Sequence, residues 1–280
     1  MRLLHGRPLA ERVNASTKAR IAALTARGVG PRLAIVSVGI DPAANTYQER
    51  LVHQGARLGI DARPVTLARG TAEDALGSQL RALSADRSVH ALLLLTPLPA
   101  PLDEARMVEL VDPAKDVEGV HPYNAGLLAA GRPVFVPSTA EAAVELLKFH
   151  EVPLRGARAT VIGRSGVVGR PTAALLLGED ATVTVAHSRT ADVAALTRAA
   201  DIVVVAVGRE RFLTGTMLSP GVTVIDAGIN VTPGGIVGDV DVESVTPVAA
   251  ALSPVPGGLG AVTTALLLRN VASAAERLAR

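Results

Sequence analysis

Ala159-Thr160-Val161-Ile162-Gly163-Arg164-Ser165-Gly166-Val167-Val168-Gly169-Arg170-Pro171 is the stretch that decides the fold. A short β-branched run enters a glycine-rich turn, and an apolar segment, Val167 to Leu177, reads as the helix that leaves it. A helix starting on such a turn presents unpaired N–H groups and the positive end of its dipole, and absent side chains let a diphosphate approach. Strand before and helix after make this a predicted dinucleotide site rather than an ordinary bend. The spacing departs from the usual G-x-G-x-x-G, because Ser165 stands where the second glycine would sit.

The next strand, Thr182-Val183-Thr184-Val185-Ala186, runs into His187-Ser188-Arg189-Thr190. An NAD site normally places an Asp or Glu there, on the ribose 2′-hydroxyl. No acid is present, and the hydroxyl and guanidinium of Ser188 and Arg189 suit a 2′-phosphate, with Arg164 able to reach it from the turn. The cofactor expected is therefore NADP. The plainer alternative is a solvated Arg189, since all but Lys18, Lys115 and Lys148 of the basic residues are arginines.

Further out, strand-like and helical runs alternate. Leu33-Ala34-Ile35-Val36-Ser37-Val38 and Ala91-Leu92-Leu93-Leu94-Leu95 are apolar on both faces, as in parallel strands covered by helices. Pro8 to Ala26, Thr46 to Leu58 and Thr71 to Leu83 read as helices, the last opened by a capping pattern from Thr71. A second series starts near Pro137, with Ser138 or Thr139 as a cap for a helix to Phe149. Strands at Ile202–Val207 and Val222–Asp226 and a closing helix from Thr263 to Leu278 complete it. The fold class expected is α/β, two domains with parallel sheets.

Composition narrows the function. The 280 residues are 49% hydrophobic and 19% charged, enough for a sizeable core. A net charge of +2 without basic runs interleaved with aromatics argues against nucleic-acid binding. The chain has no cysteine, which excludes disulfides, thiolate metal sites and cysteine nucleophiles, and its six histidines lack ligand spacing, so no metal is expected. No apolar run reaches membrane-spanning length and no signal peptide is apparent, so the expected location is the cytoplasm.

Across nearly its whole length the sequence resembles the methylenetetrahydrofolate dehydrogenase/cyclohydrolase family. The resemblance is carried by Asp41-Pro42-Ala43 with Tyr47, Thr96-Pro97-Leu98-Pro99, Lys115-Asp116-Val117-Glu118-Gly119 and His121-Pro122-Tyr123-Asn124. It continues through the glycine turn to Ile225-Asp226-Ala227-Gly228-Ile229-Asn230, Val237-Gly238-Asp239-Val240 and Pro254-Val255-Pro256-Gly257-Gly258-Leu259-Gly260. It implies a folate-site domain over residues 1–136 completed by a C-terminal helix at 262–280, a Rossmann domain over 137–261, a cleft between them, and a homodimer. On the cofactor side it implies Gly163, Arg164, Ser165, Val168, Gly169, His187, Ser188, Arg189, Gly208, Gly228 and Ile229. On the folate side it implies Tyr47, Glu118, Pro254, Gly257 and Gly258.

The departures gather on the folate side. The family's lysine four residues after the tyrosine falls at Leu51, its glutamine before the Leu-Pro-Leu-Pro turn at Leu95, and the second acid of Lys-Asp-Val-Asp-Gly at Glu118. Its serine three residues before the tyrosine falls at Ala44, and two of its prolines fall at Ala140 and Ala261. Arg50 lies about 100° around the helix from Leu51 and is not placed to replace the lysine. The resemblance assigns the lysine and glutamine to water addition, where loss of a proton-transfer group costs roughly 10²–10⁴-fold. Hydride transfer needs mostly positioning. The expectation is an NADP-dependent dehydrogenase with weak or absent cyclohydrolase activity. The alternatives are a diverged paralogue acting on another C–N substrate and a nucleotide-binding protein without turnover.

Overall fold

The computed structural model describes residues 1–39 and 42–279. Of the motif Asp41-Pro42-Ala43, Asp41 lies outside the described residues. The first elements are β1 (Arg2–Leu3), α1 (Arg7–Ala26), β2 (Arg32–Val38), α2 (Pro42–Leu58), β3 (Asp61–Leu67), α3 (Glu73–Ala85) and β4 (Ala91–Leu94). Then come the short helices α4 (Glu104–Val108) and α5 (Pro122–Ala129), followed by α6 (Ser138–Phe149). The second series is β5 (Arg158–Ile162), α7 (Gly169–Gly178), β6 (Thr182–Ala186), α8 (Val193–Arg198), β7 (Ile202–Val205) and β8 (Thr223–Asp226). A hairpin of β9 (Asn230–Thr232) and β10 (Gly235–Val237), then α9 (Val242–Val245), β11 (Ala251–Leu252) and α10 (Leu259–Leu278) finish the chain.

These elements form two compact units. One comprises Met1–Glu11, Leu128–Arg132 and Pro137–Thr263, and the other Arg12–Leu127, Pro133–Val136 and the chain from Thr264 on. The expected division gave residues 1–136 and the helix at 262–280 to one domain, whereas Met1–Glu11 and Leu128–Arg132 cluster with the other unit. For Met1–Glu11 the reason is β1, which pairs in parallel with β11 through Arg2 and Leu3 opposite Ala251 and Leu252. A two-residue strand carries no periodicity to read.

The first unit holds a six-stranded parallel sheet in the order β1-β11-β8-β7-β5-β6. Every residue of β7 and β8 is buried, which is why Ile-Val-Val-Val and Thr-Val-Ile-Asp show no alternation. The strand from Ile202 ends at Val205, two residues before the expected limit, where the chain turns out towards Gly208. β6 lies at the sheet edge and leaves Val185 39% exposed.

The second unit is built on a three-stranded parallel sheet, β3-β2-β4. Side chains alternate across β2. Leu33 and Ile35 join a core with Ile21, Leu51 and residues of α10, whereas Ala34, Val36 and Val38 pack with Leu76 and Leu80 of α3. β3 was not legible in the sequence because Arg63 and Pro64 interrupt its apolar run, and a proline suits the edge position it takes.

Two expected caps are corrected. α3 starts at Glu73 behind Ala72, which makes no side-chain cap, so the Thr71 pattern is not used; Glu73 and Asp74 still favour the helix dipole. Pro137 takes the cap position of α6 and Ser138 lies inside the helix. α2 and α10 each begin four residues earlier than expected, at Pro42 and Leu259.

Candidate functional site

The glycine turn joins β5 to α7 in the first unit. Gly163 has φ +128°, and a Cβ there would overlap the carbonyl oxygen of Ala206 at the end of β7. A Cβ on Gly169 would overlap the carbonyl of Gly163 itself. The turn is therefore closed by backbone packed on backbone: Gly163 and Gly169 are required by close approach, whereas a Cβ on Gly166 would meet nothing within 4 Å. Ser165, standing in the second-glycine position, shapes the turn from within: its Oγ accepts from the N–H of Val168 at 3.1 Å and of Gly169 at 3.4 Å. Arg164, Gly166 and Val167 remain exposed on the outside, and Val168 is half-buried. Arg170, in the first turn of α7, is exposed as well.

At the end of β6 the chain folds into a small turn. Thr190 Oγ1 accepts from the N–H of His187 at 2.9 Å, and His187 Nδ1 accepts from the N–H of Arg189 at 3.1 Å. His187 therefore serves the local turn. Ser188 and Arg189 stay exposed. The donor set matches a phosphorylated ribose: no carboxylate stands here, and two hydroxyl or guanidinium side chains are open to solvent beside a turn that fits a diphosphate.

Two buried carboxylates brace the loops that follow β7 and β8. Asp239 Oδ2 accepts from the N–H of Val207 at 2.6 Å and of Gly208 at 2.9 Å, and Oδ1 from Arg209 N–H at 2.9 Å and Asn230 Nδ2 at 3.0 Å. Asp226 accepts from the N–H groups of Gly228, Asp239 and Val240. Burial pushes the Asp226 carboxyl up to about 6, against the pull of those three N–H donors. Gly228 and Gly238 pack directly on the two carboxylates, and a Cβ at either would overlap them. This brace shapes an open groove of about 820 Å³ lined by Gly208, Arg209, Glu210 and residues 229–233. It thus brings together Gly208 and Ile229; Ile229 is 68% exposed. Asp226 and Asp239 lay in quoted motifs without an assigned role, and their burial is what reveals one.

Pro254, Gly257 and Gly258 belong to the same unit as the glycine turn. The Gly258 N–H donates to Pro254 O at 2.7 Å, and Gly257 O accepts from Gly6 N–H at 2.9 Å. A Cβ on Gly258 would come within 2.6 Å of Pro254 O, so this segment too is packed through its backbone.

The second unit holds Tyr47, Leu51, Leu95 and Glu118. Tyr47 packs against the core that contains Leu51. Burial pushes its phenol pKa up, the Glu118 carboxylate adds to this, and the Arg50 guanidinium offsets part of it. Arg50, which does not replace the lysine by geometry, thus still acts on Tyr47 through its charge. Leu51 is wholly buried, within van der Waals company of Ile21, Leu33, Ile35 and α10. It is therefore core, not the wall of an open pocket. Leu95 is half-buried at the end of β4 and packs on the same cluster.

Glu118 sits in a tightly held loop. Lys115 Nζ is buried and donates to the carbonyls of Leu83, Ser84 and Asp86, closing the C-terminal end of α3. Asp116 accepts from the N–H of Gly119 at 3.0 Å and of His121 at 2.8 Å, and from Asn124 Nδ2 at 2.9 Å. Gly119 has φ +69°, and a Cβ there would lie 2.6 Å from Phe135 O. Among the described residues no cluster of three or more His, Asp or Glu could hold a metal ion, and no helix is long and apolar enough to cross a membrane.

Comparison with known proteins covers both units. Residues 137–279 match the family model "Tetrahydrofolate dehydrogenase/cyclohydrolase, NAD(P)-binding domain", and residues 4–118 the corresponding catalytic domain. "Bifunctional protein FolD" of Nocardia farcinica is 52% identical over 275 residues, covering 98% of this chain and 97% of that protein. The crystal structure of the FolD methylenetetrahydrofolate dehydrogenase/cyclohydrolase from Campylobacter jejuni superposes with a TM-score of 0.96 at 37% identity, covering 99% of both chains. The Trypanosoma brucei enzyme, complexed with NADP cofactor and inhibitor, gives 0.94 at 33% identity over 99% of this chain and 98% of its own.

Proposed function

We propose that this chain, which belongs to the tetrahydrofolate dehydrogenase/cyclohydrolase family, oxidises 5,10-methylenetetrahydrofolate with NADP and adds water to the product slowly or not at all. The observation that carries the dehydrogenase reading is the backbone-built turn at Gly163–Gly169, followed by a strand end with Ser188 and Arg189 but no acid. The NADP named in the Trypanosoma brucei complex supports the same cofactor.

NADP, when bound, supplies the hydride acceptor. The methylene carbon loses a hydrogen with its bonding pair, and its two flanking nitrogens share the positive charge that remains. No proton has to be removed, so the chain's residues serve chiefly to position the reactants. Arg164 on the turn, with Ser188 and Arg189, holds the phosphates. Tyr47 offers a face for a ring, and Glu118 offers acceptors to the amino and ring nitrogens of the pterin.

Water addition has other needs. It requires a group that moves a proton at the reacting carbon, worth roughly 10²–10⁴-fold. The two positions that supply such groups in the family's pattern are leucines here, and Leu51 is wholly buried in apolar core. The amidinium product therefore leaves unhydrolysed in this reading. A homodimer is part of the same reading; the open edge of β6, with Val185 exposed, supports it.

The test mixes purified protein with methylenetetrahydrofolate and NADP⁺ and follows NADPH and methenyl absorbance together. The expected result is NADPH formation with accumulating methenyl product. Methenyl product that disappears at a rate comparable to oxidation would overturn the cyclohydrolase part. Absence of NADPH formation would overturn the whole.

A further inference from the structure

We infer that Asn270 of α10 and Asp116 act as positioning residues for Glu118, holding the two peptide groups that flank it so that its carboxylate meets the substrate at a fixed place. This rests on the reading of Glu118 as the residue that binds the pterin nitrogens.

The geometry is a clamp. On the N-terminal side, Asn270 Nδ2 donates to the carbonyl of Val117 at 3.0 Å, with Asn270 itself buried. That carbonyl belongs to the peptide leading into Glu118. On the C-terminal side, the Asp116 carboxylate accepts from the N–H of Gly119 at 3.0 Å, and the next anchor, the N–H of His121, lies at 2.8 Å. Asp116 is in turn held by Asn124 Nδ2, which is shared with Pro113 O at 3.0 Å. Gly119 is pressed on the Phe135 backbone, so the loop cannot slide away from the clamp.

Val117 and Gly119, on either side of Glu118, are buried with their peptide groups bonded, and Glu118 itself is half-buried. Charged-acceptor bonds like those to Asp116 are among the stronger ones, and they fix orientation as well as energy. The clamp has a specific consequence in this chain. A glutamate is one methylene longer than the aspartate of the family's pattern, and a clamped backbone cannot retreat to absorb the difference. The carboxylate is displaced instead, and the bound ligand must follow it. The site is set to that displaced position, and a shift of about 1 Å away from it once the clamp is released can cost on the order of 100-fold.

Steady-state kinetics of the full-length protein test this with Asn270→Leu, which keeps the volume and removes the donor, and Asn270→Ala if the first fails to fold. KM for methylenetetrahydrofolate should rise about 10- to 100-fold while KM for NADP stays within about twofold. Combining Asn270→Leu with Glu118→Gln decides whether the effect passes through Glu118: the double variant should be no worse than Glu118→Gln alone. An unchanged folate KM, a parallel rise in both KM values, or additive losses in the double variant would each overturn the clamp while leaving the proposed reaction standing. A wild-type protein that neither binds nor oxidises methylenetetrahydrofolate would overturn both.

Discussion

The cofactor half and the folate half of this chain are built from different materials. Around Gly163–Gly169 the surfaces are backbone: Gly163 and Gly169, whose Cβ positions are already occupied by carbonyls, a helix start whose N–H groups the turn itself ties to Ser165 and Val168, and loops tied to Asp226 and Asp239. Around Tyr47 the surfaces are side chains, and two of them, Leu51 and Leu95, have merged with the apolar core. A backbone-built site tolerates almost no change at its few glycines and is indifferent elsewhere. A side-chain site can lose one chemical step by substitution while its fold stays intact.

The sharpest way to break this comparison is Gly169→Ala. If the turn is closed by backbone contact, the new methyl must displace the Gly163 carbonyl. Loss of NADP binding and destabilisation above about 4 kcal/mol are expected, read from NADP titration and thermal melting. A variant that binds NADP normally would show that the turn has slack.

Leu51→Lys is the counterpart in the folate half. An ammonium at a wholly buried position without a partner is costly, on the order of several kcal/mol. The expected outcome is a lower melting temperature and no gain in methenyltetrahydrofolate hydrolysis, even beside Leu95→Gln. Recovery of hydrolysis by the pair at undiminished stability would mean that the side-chain site has not merged with the core.

Asp226 gives a milder test of the braced loops. Its folded carboxyl is raised to about 6, so the folded state holds the proton more tightly than the unfolded chain, whose value is near 3.8. The corresponding stabilisation is full below about pH 4, falls as pH rises through about 6, and is absent above it, a change of up to about 3 kcal/mol. Urea melts between pH 4 and 7 should show this slope in the wild type and not in Asp226→Asn. The smallest effect is expected for Arg189→Ala: a rise in KM for NADP of about 10- to 100-fold, read from steady-state kinetics.

The same difference in materials explains what could be read from the sequence. The β5–turn–α7 segment was legible because glycine positions and apolar runs are local signals. The central strands β2, β4, β7 and β8 were legible for the same reason. β3 was hidden by Arg63 and Pro64, and β1 and β11 by their length of two residues each. The depth of Leu51 was not legible either, since a leucine on an amphipathic helix reads equally as core or as pocket wall. Asn270 and Asp239 went unassigned because they bond backbone atoms 153 and up to 32 residues away, and no local pattern records such bonds; Asp116 bonds within eight residues, but only its burial shows that it does.

The bond from Asn270 to Val117 also sets an order of events during synthesis. The second unit takes Arg12–Leu127 from early in the chain and its closing helix from Thr264 onward. While the ribosome is still making the intervening segment, Ile21, Leu33 and Leu51 lack the face of α10 that covers them. The half translated first is therefore expected to finish last, and nascent chains stalled before residue 264 should remain open to protease over residues 12–127.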